Sequence, residues 1–117
     1  MLSRVKLNLL MQYNQHTKIQ NRELKTESKM PVISYFFGIY IRMYHDDHNP
    51  PHFHAEYQGH QALMAIESGE LLEGTLPRKA IKLVREWAQE HQQELLADWQ
   101  CAIELKPLQR ISGADND

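Results

Sequence analysis

The spacing of apolar residues changes once along this chain, and that change constrains the fold more than any other feature. Within residues 39–44 and again within 62–67, side chains alternate with a period of two, which is typical of strands with one buried face. From Pro77 onward the period is about 3.6, and apolar residues recur at helical spacing from Ile81 to Ala102. This change of period predicts a sheet of consecutive strands that is covered by later helices, which is the α+β class.

The first half is expected to form a small antiparallel sheet of three to four strands. Segment 33–44 reads as one strand bent at Gly38, with Ile39, Ile41 and Met43 on the core face. Gln58-Gly59 marks a turn between the next two strands. The expected strand segments are 33–44, 52–58, 61–68 and 70–74.

The second half is expected to form one long bent helix, or two C-terminal helices, packed on the sheet. Thr75 is the expected N-cap, with Pro77 in the first turn, where its missing N–H costs nothing. An unbroken helix would run roughly 40 Å at its rise per residue. Because that is long for so small a domain, we expect a break near Gln92-Gln93.

Composition divides the chain into three parts. Residues 1–29 are polar and hold six Lys/Arg against two Asp/Glu, whereas residues 30–117 hold seven against thirteen. We expect 1–29 to be a basic, flexible N-terminal extension, 30–108 a single α+β domain, and 109–117 a polar tail in which 111–117 frays. A basic arm on an acidic body can attract nucleic acid or fold back on its own domain.

The sequence argues against a membrane partner and against disulfides. No apolar run approaches the roughly 20 residues that span a bilayer. Cys101 is the only cysteine, so no intramolecular disulfide can form. Both features favour a reducing, cytoplasmic location.

The most unusual stretch is DHNPPHFHA, residues 47–55, which holds three of the seven histidines. If a strand follows the prolines, then His52, His54 and Glu56 share one face, at a spacing of about 7 Å. The Pro50-Pro51 pair restricts the backbone and would hold His48 at a defined distance from His52.

One interpretation of this cluster is a metal site. His48, His52 and His54, with Glu56 or Asp47 as a further ligand, suit a divalent metal such as zinc. Two observations count against it. The spacing does not match the helical zinc signature with ligands four apart, and 7 Å is wide for two ligands of one metal unless the strand bends.

A second interpretation is metal-free acid–base chemistry on RNA, for which no cofactor is expected. His48, His52 and His54 would act as acid and base on a 2′-hydroxyl and a leaving oxygen, with Arg42 and Arg78 as phosphate contacts. Tyr44 and Phe53 are candidates for stacking a base.

Two further interpretations assign no chemistry to the histidines. They can simply stabilise a stiff proline turn by bonding to the backbone. Four basic residues begin a helix, where positive charge opposes the macrodipole: Arg78, Lys79, Lys82 and Arg85. They indicate either a face that binds an anion or a partner, or simply a solvated surface.

The chain from MPVISYFFGIYIRMYHDDHNPPHFHAEYQG through LEGTLPRKAIKLVREWAQEHQQELLADW resembles a small bacterial family, the domain of unknown function 4160. The resemblance covers about residues 30–108 and rests on I-x-M-Y, D-H-x-P-P-H-F-H and G-x-L-P, followed by a helical region with spaced tryptophans. Some members are described as the DhiT-type toxin of a type II toxin–antitoxin pair. The resemblance therefore implies a cytoplasmic toxin that is neutralised by direct binding of a small cognate antitoxin protein.

The leading hypothesis from sequence is thus the toxin of a type II pair, with a ribonuclease activity that uses the D-H-x-P-P-H-F-H cluster. The alternatives are a non-catalytic protein-interaction module and a small metal-binding protein that uses the same histidines. Candidate substrate contacts are Arg42, Tyr44, Arg78, Lys82 and Arg85.

Overall fold

The computed structural model describes residues 30–45 and 47–115. The expected basic extension, 1–29, lies outside these residues. Within them, the α+β prediction is confirmed, because an antiparallel sheet is followed by two helices. The sheet is a five-stranded meander in which each strand pairs with the next along the chain. The elements are β1 Val32–Phe36, β2 Ile39–Arg42, β3 His52–Tyr57, β4 His60–Ala65, β5 Leu71–Gly74, α1 Arg78–Glu90 and α2 Gln92–Ile103.

The expected number of strands, three to four, is wrong because segment 33–44 forms two strands and not one bent strand. Phe37 and Gly38 have φ angles of 49° and 80° and form the tight turn between β1 and β2. A two-residue hairpin turn of this kind requires positive φ at both positions, and Asn or Asp usually fills the first. Because phenylalanine is unusual at that position, the sequence did not indicate a turn there.

The core lies between one face of the sheet and the two helices. The alternation predicted for β2 is confirmed, because Ile39 and Ile41 are buried while Tyr40 is exposed. Trp87 of α1 packs on two sheet residues, with ring centroids 5.0 Å from Phe36 and 6.0 Å from Phe53. The sheet therefore has a buried face against the helices and a second face that carries polar side chains.

The predicted break in the helical region is confirmed at His91, between α1 and α2. The prediction that Thr75 caps α1 is wrong, because the helix begins after Pro77, which makes no side-chain cap bond. Thr75 is still paired with the sheet, since its N–H donates to the Gln61 carbonyl at 3.0 Å. Neither helix of the described chain is both long and apolar enough to cross a lipid bilayer.

Residues 111–117 were expected to fray, and for residues 111–115 that expectation is wrong. Ile111 is only 3% exposed, and its N–H donates to the Ile33 carbonyl at 2.8 Å. The indole N–H of Trp87 donates to the Ser112 carbonyl, also at 2.8 Å. One apolar side chain and several backbone bonds thus hold a polar segment along β1.

Candidate metal centre

The proline turn and the start of β3 bring one carboxylate and two imidazoles together. Asp47 Oδ2 lies 3.0 Å from His52 Nε2 and 3.5 Å from His54 Nε2. The Asn49–Pro50 peptide in the turn that precedes β3 is cis. We call Asp47, His52 and His54 the His–Asp cluster.

The orientation of the His52 ring is fixed on both sides. Its Nδ1 lies 2.7 Å from the Pro50 carbonyl oxygen, and because a carbonyl can only accept, Nδ1 carries the hydrogen. Nε2 is thereby directed at Asp47. The Trp99 ring, from α2, packs on the imidazole with centroids 5.2 Å apart, and His52 is 2% exposed. A ring that donates through one nitrogen to a backbone carbonyl and presents the other is the usual arrangement of a metal-ligating histidine.

The separation of the two histidines fits a metal better than strand geometry alone suggested. Same-face positions are about 7 Å apart along an ideal strand, but the rings of His52 and His54 lean together, with centroids 5.3 Å apart. Neighbouring ligand atoms on a metal with bonds near 2.1 Å are about 3.0–3.5 Å apart. Both distances to Asp47 Oδ2 meet that range, and one ligand atom from each of the three residues lies within 4.8 Å of the others. The His–Asp cluster can therefore hold a metal ion.

The environment keeps Asp47 ionised. Burial on its own would raise the pKa of this carboxyl, but the hydrogen bond from the His48 backbone N–H and the positive charge that His52 can carry outweigh it. The net effect is a pKa below the usual aspartate value. An ionised carboxylate is the form that binds a metal.

The environment also keeps His54 neutral. Burial is the largest influence and lowers the pKa of this imidazole, while the hydrogen bond with Asp47 acts in the opposite direction. The charge of His52 lowers the pKa further, and the net result lies below the usual histidine value. A neutral imidazole has a free lone pair for a metal.

His48 lies at the rim of the cluster and does not converge with the other donors. Its side chain is 84% exposed, and its Nδ1 lies 3.0 Å from Asp47 Oδ1, the oxygen that does not face His52 and His54. The His48 backbone N–H donates to the same oxygen at 2.9 Å. His48 is therefore free to reach a bound molecule while it remains beside Asp47.

Glu56, the sequence candidate for a further ligand, is engaged elsewhere. Its carboxylate accepts a hydrogen bond from Arg42 Nε at 3.2 Å and another from Gln61 Nε2 at 3.3 Å. Glu56 shares the strand face of His54, as predicted from the alternation, but the structure does not bring it into the His–Asp cluster.

The candidate substrate contacts divide between two places. The Tyr44 ring packs against the His54 ring with centroids 4.6 Å apart and a tilt of 51° between the two planes. Arg42 is the cross-strand neighbour of His54 in the β2–β3 pair. By contrast, Arg78, Lys82 and Arg85 line a separate cleft. The expectation that Phe53 stacks a base is wrong, because its ring is fully buried in the core.

Sequence reasoning missed an aromatic pair beside Arg42. Tyr35 and Tyr40 face each other across β1 and β2, with ring centroids 4.6 Å apart and exposures of 48% and 42%. The Arg42 guanidinium lies 5.6 Å from the centroid of the Tyr40 ring. The alternation already placed Tyr40 and Arg42 on one face, but Tyr35 joins them only through the turn at Phe37-Gly38.

Comparison with known sequences adds a family match. The sequence profile of a domain of unknown function, DUF4160, matches residues 38–100, which is more than half of the chain. No curated protein and no solved structure matches the chain. The matched region includes the whole His–Asp cluster and α1.

Proposed function

The chain belongs to the DUF4160 family, and for this member we propose a metal-dependent ribonuclease that acts as the toxin of a type II toxin–antitoxin pair. The observation that carries the proposal is the convergence of His52 Nε2 and His54 Nε2 on one oxygen of Asp47. Two histidines and one carboxylate leave coordination positions open for water or substrate, as catalytic zinc sites do.

The burial of His52 favours a metal site over metal-free acid–base catalysis. A general acid or base must reach the proton that it moves, directly or through one water. His52 is 2% exposed and has both ring nitrogens engaged, so it cannot approach a substrate. Moreover, His52 and His54 are both directed at Asp47, and not at the two sides of a scissile bond.

In the proposed mechanism, Asp47, His52 and His54 would hold a divalent cation such as zinc, which would supply Lewis-acid stabilisation of the negative charge that develops on the phosphate. His48 is the proposed base, because it is the exposed imidazole at the rim of the cluster. It accepts the proton of the 2′-hydroxyl as that oxygen bonds to phosphorus, the P–O5′ bond breaks, and the 5′-oxygen takes a proton from water.

The face of the sheet beside the cluster supports RNA as the substrate. Exposed aromatic rings stack single-stranded bases without regard to sequence, and Tyr35 and Tyr40 offer such a pair. Arg42 lies between that pair and His54 along β2 and β3. Because the rest of the domain is acidic, the charge of a bound cation is an essential part of attracting a phosphate.

The toxin role rests on the resemblance to the family described above. It implies action in the cytoplasm, where RNA is accessible, and neutralisation by a small antitoxin protein that binds the chain directly.

The test is cleavage of a labelled single-stranded RNA by chelator-treated protein to which zinc or manganese is returned. We expect cleavage only with metal, products that end in a 2′,3′-cyclic phosphate, and no cleavage when the RNA carries 2′-deoxy sugars. Asp47→Asn and His54→Gln should abolish cleavage, whereas Glu56→Gln, a carboxylate change on β3 outside the cluster, should preserve it. Cleavage that survives Asp47→Asn, or an absence of metal-dependent cleavage in the unmodified protein, contradicts the proposal.

Expression in a bacterial host tests the toxin role separately. We expect growth arrest with the unmodified chain and normal growth with Asp47→Asn at equal protein levels. Normal growth with both would argue against a toxin even if RNA is cleaved in vitro.

A further inference from the structure

A second site lies away from the His–Asp cluster, in a cleft between α1 and the turn that joins β4 to β5. The cleft has a volume of about 300 Å³, and none of the three cluster residues lines it. Ile81 is the partly exposed apolar side chain of the lining, with the buried Ile66 and Ala88 behind it, while Arg78, Lys82 and Arg85 contribute positive charge. The proposed ribonuclease does not use this cleft.

The positive charge is concentrated on the side of α1 that lines the cleft. Four of the seven Lys/Arg of residues 30–117 fall between 78 and 85. Arg78, Lys82 and Arg85 are spaced at four and three residues, which places them on one face of the helix. The first turn of α1 contains no acidic residue, so the partial positive charge of the helix start adds to that of the side chains.

The wall opposite α1 is held in place by both helices. Arg85 Nε donates to the Gly69 carbonyl at 2.8 Å, which fixes the stem of this arginine and leaves its terminal nitrogens for a ligand. Gly69 has a φ of +77°, and a Cβ there would come within 3.1 Å of Arg85 Cγ, so glycine permits the close approach. From α2, Gln92 Nε2 donates to the carbonyls of Ile66 and Glu67 at 3.1 and 3.0 Å. The cleft is thus preorganised, which lowers the entropic cost of binding.

We propose that this cleft binds an acidic segment of a partner protein that inserts one apolar side chain between its carboxylates. The cations match acidic side chains, and the apolar surface matches a leucine or similar residue. Two carboxylates, Glu67 and Glu86, also line the cleft, so its three cations exceed its carboxylates by one. Glu86 lies 4.0 Å from Lys82, and this pair partly neutralises both side chains, which leaves Arg78 and Arg85 as the main contacts for an acidic segment. The lining contains no aromatic ring on which a base could stack, which favours a peptide over single-stranded RNA.

The test measures binding of a fluorescein-labelled peptide, Asp-Glu-Asp-Leu-Glu-Asp-Glu, to the full chain by fluorescence anisotropy. We expect saturable binding that weakens as salt rises. The double variant Arg78→Glu/Lys82→Glu should bind roughly tenfold or more weakly. The matched control for the single variant Arg78→Glu is Lys79→Glu, which makes the same single charge reversal on the first turn of α1 at a residue that does not line the cleft. Lys79→Glu should change binding by less than about twofold, and Arg78→Glu should weaken binding more than that.

Circular dichroism of each variant shows whether α1 stays folded. Acidic residues in the first turn are favourable, so Arg78→Glu and Lys79→Glu are compatible with α1. Lys82→Glu lies beyond the first turn and places a carboxylate four residues before Glu86, which weakens the helix slightly. The inference is overturned if the unmodified chain shows no saturable binding or if Lys79→Glu weakens binding as much as Arg78→Glu. It is also overturned if an unlabelled oligouridylate displaces the peptide at a lower concentration than the unlabelled peptide does.

Discussion

At the scale of single residues, the two oxygens of Asp47 have different roles. Oδ1 accepts the backbone N–H of His48 and lies beside the His48 ring, while Oδ2 faces His52 and His54. The first set of contacts orients the carboxylate, and the second set is available to a cation. This division separates residues that hold a metal from one that can move a proton.

The stability of the metal-free protein should depend on pH through His54. Because burial lowers the pKa of His54 in the folded chain, the unfolded chain takes up more protons once the pH falls below the ordinary histidine value of 6.5. The contribution of His54 to the free energy of unfolding should be fully present above pH 6.5 and should be lost as the pH falls toward the pKa of His54 in the folded chain. The lowered pKa of Asp47 contributes only below its ordinary value of 3.8. Burial raises the pKa of Asp98, so Asp98 adds stability as the pH falls toward 3.8 and acts within the same window as His54. The contribution of His54 is therefore read from the difference between the unmodified chain and His54→Gln.

Thermal unfolding in a chelator measures this effect. Between pH 6.5 and about 4, the melting temperature should fall further for the unmodified chain than for His54→Gln. Equal losses in the two proteins would show that the protonation of His54 is not coupled to folding.

His48 should affect cleavage without affecting metal affinity. His48→Gln removes the exposed imidazole but leaves the backbone N–H that orients Asp47. We expect metal affinity to stay within about threefold and the rate of RNA cleavage to fall by roughly 10²–10⁴, the usual contribution of a general base. Calorimetric metal titration and a cleavage assay on the same sample separate the two effects. A parallel loss of metal would make His48 a ligand.

The strand alternation predicted that His52 and His54 share a face, and the structure places them so. Asp47 was only an alternative to Glu56, because Asp47 lies in a turn whose path cannot be read from spacing. Strand position also could not predict that Glu56 is engaged by Arg42, since that contact depends on how β2 pairs with β3.

At the scale of elements, the hairpin turns determine which side chains meet across the sheet. Gln58 and Gly59 have φ angles of 44° and 84° and join β3 to β4 in the same way that Phe37 and Gly38 join β1 to β2. Gln58-Gly59 was recognised as a turn because its glycine stands between two alternating segments. Phe37-Gly38 was not recognised, because it lies inside a continuous apolar run that reads as one strand.

Substitutions in the β3–β4 turn test whether its positive φ angles cost stability. Asparagine tolerates positive φ better than glutamine, so Gln58→Asn should stabilise the chain by about 0.5 kcal/mol. Gly59→Ala should destabilise it by about 1 kcal/mol through φ alone, because a Cβ there meets no other atom within 4 Å. Urea unfolding measures both changes, and effects of the same sign would contradict this explanation.

At the scale of the whole molecule, the C-terminal segment links the sheet edge to the helices. Ser34 Oγ donates to the Ile111 carbonyl at 2.7 Å, and the Ile111 side chain enters the core. Composition predicted a frayed tail because one isoleucine among polar residues has no periodicity. Only the folded sheet shows that this isoleucine has a place to be buried.

Removing the Ile111 side chain should therefore destabilise the folded chain. Ile111→Ala should lower the free energy of unfolding by about 2–4 kcal/mol, the usual cost of a buried isoleucine. Ser112→Ala is the control, because Ser112 is exposed and its carbonyl still accepts the Trp87 N–H; its effect should stay within about 0.5 kcal/mol. Denaturant unfolding measures both free energies of unfolding. Similar values for the two variants would mean that burial of the Ile111 side chain contributes little to stability.

The most direct test of the central claim is the metal content of untagged protein, measured by elemental analysis and by calorimetric titration with zinc after chelation. We predict about one metal per chain, a loss of affinity of at least 10–100-fold in Asp47→Asn, and little change in Glu56→Gln. Zinc affinity that is absent from the unmodified chain, or that is unchanged in Asp47→Asn, would show that Asp47, His52 and His54 form a hydrogen-bonded turn and not a metal centre.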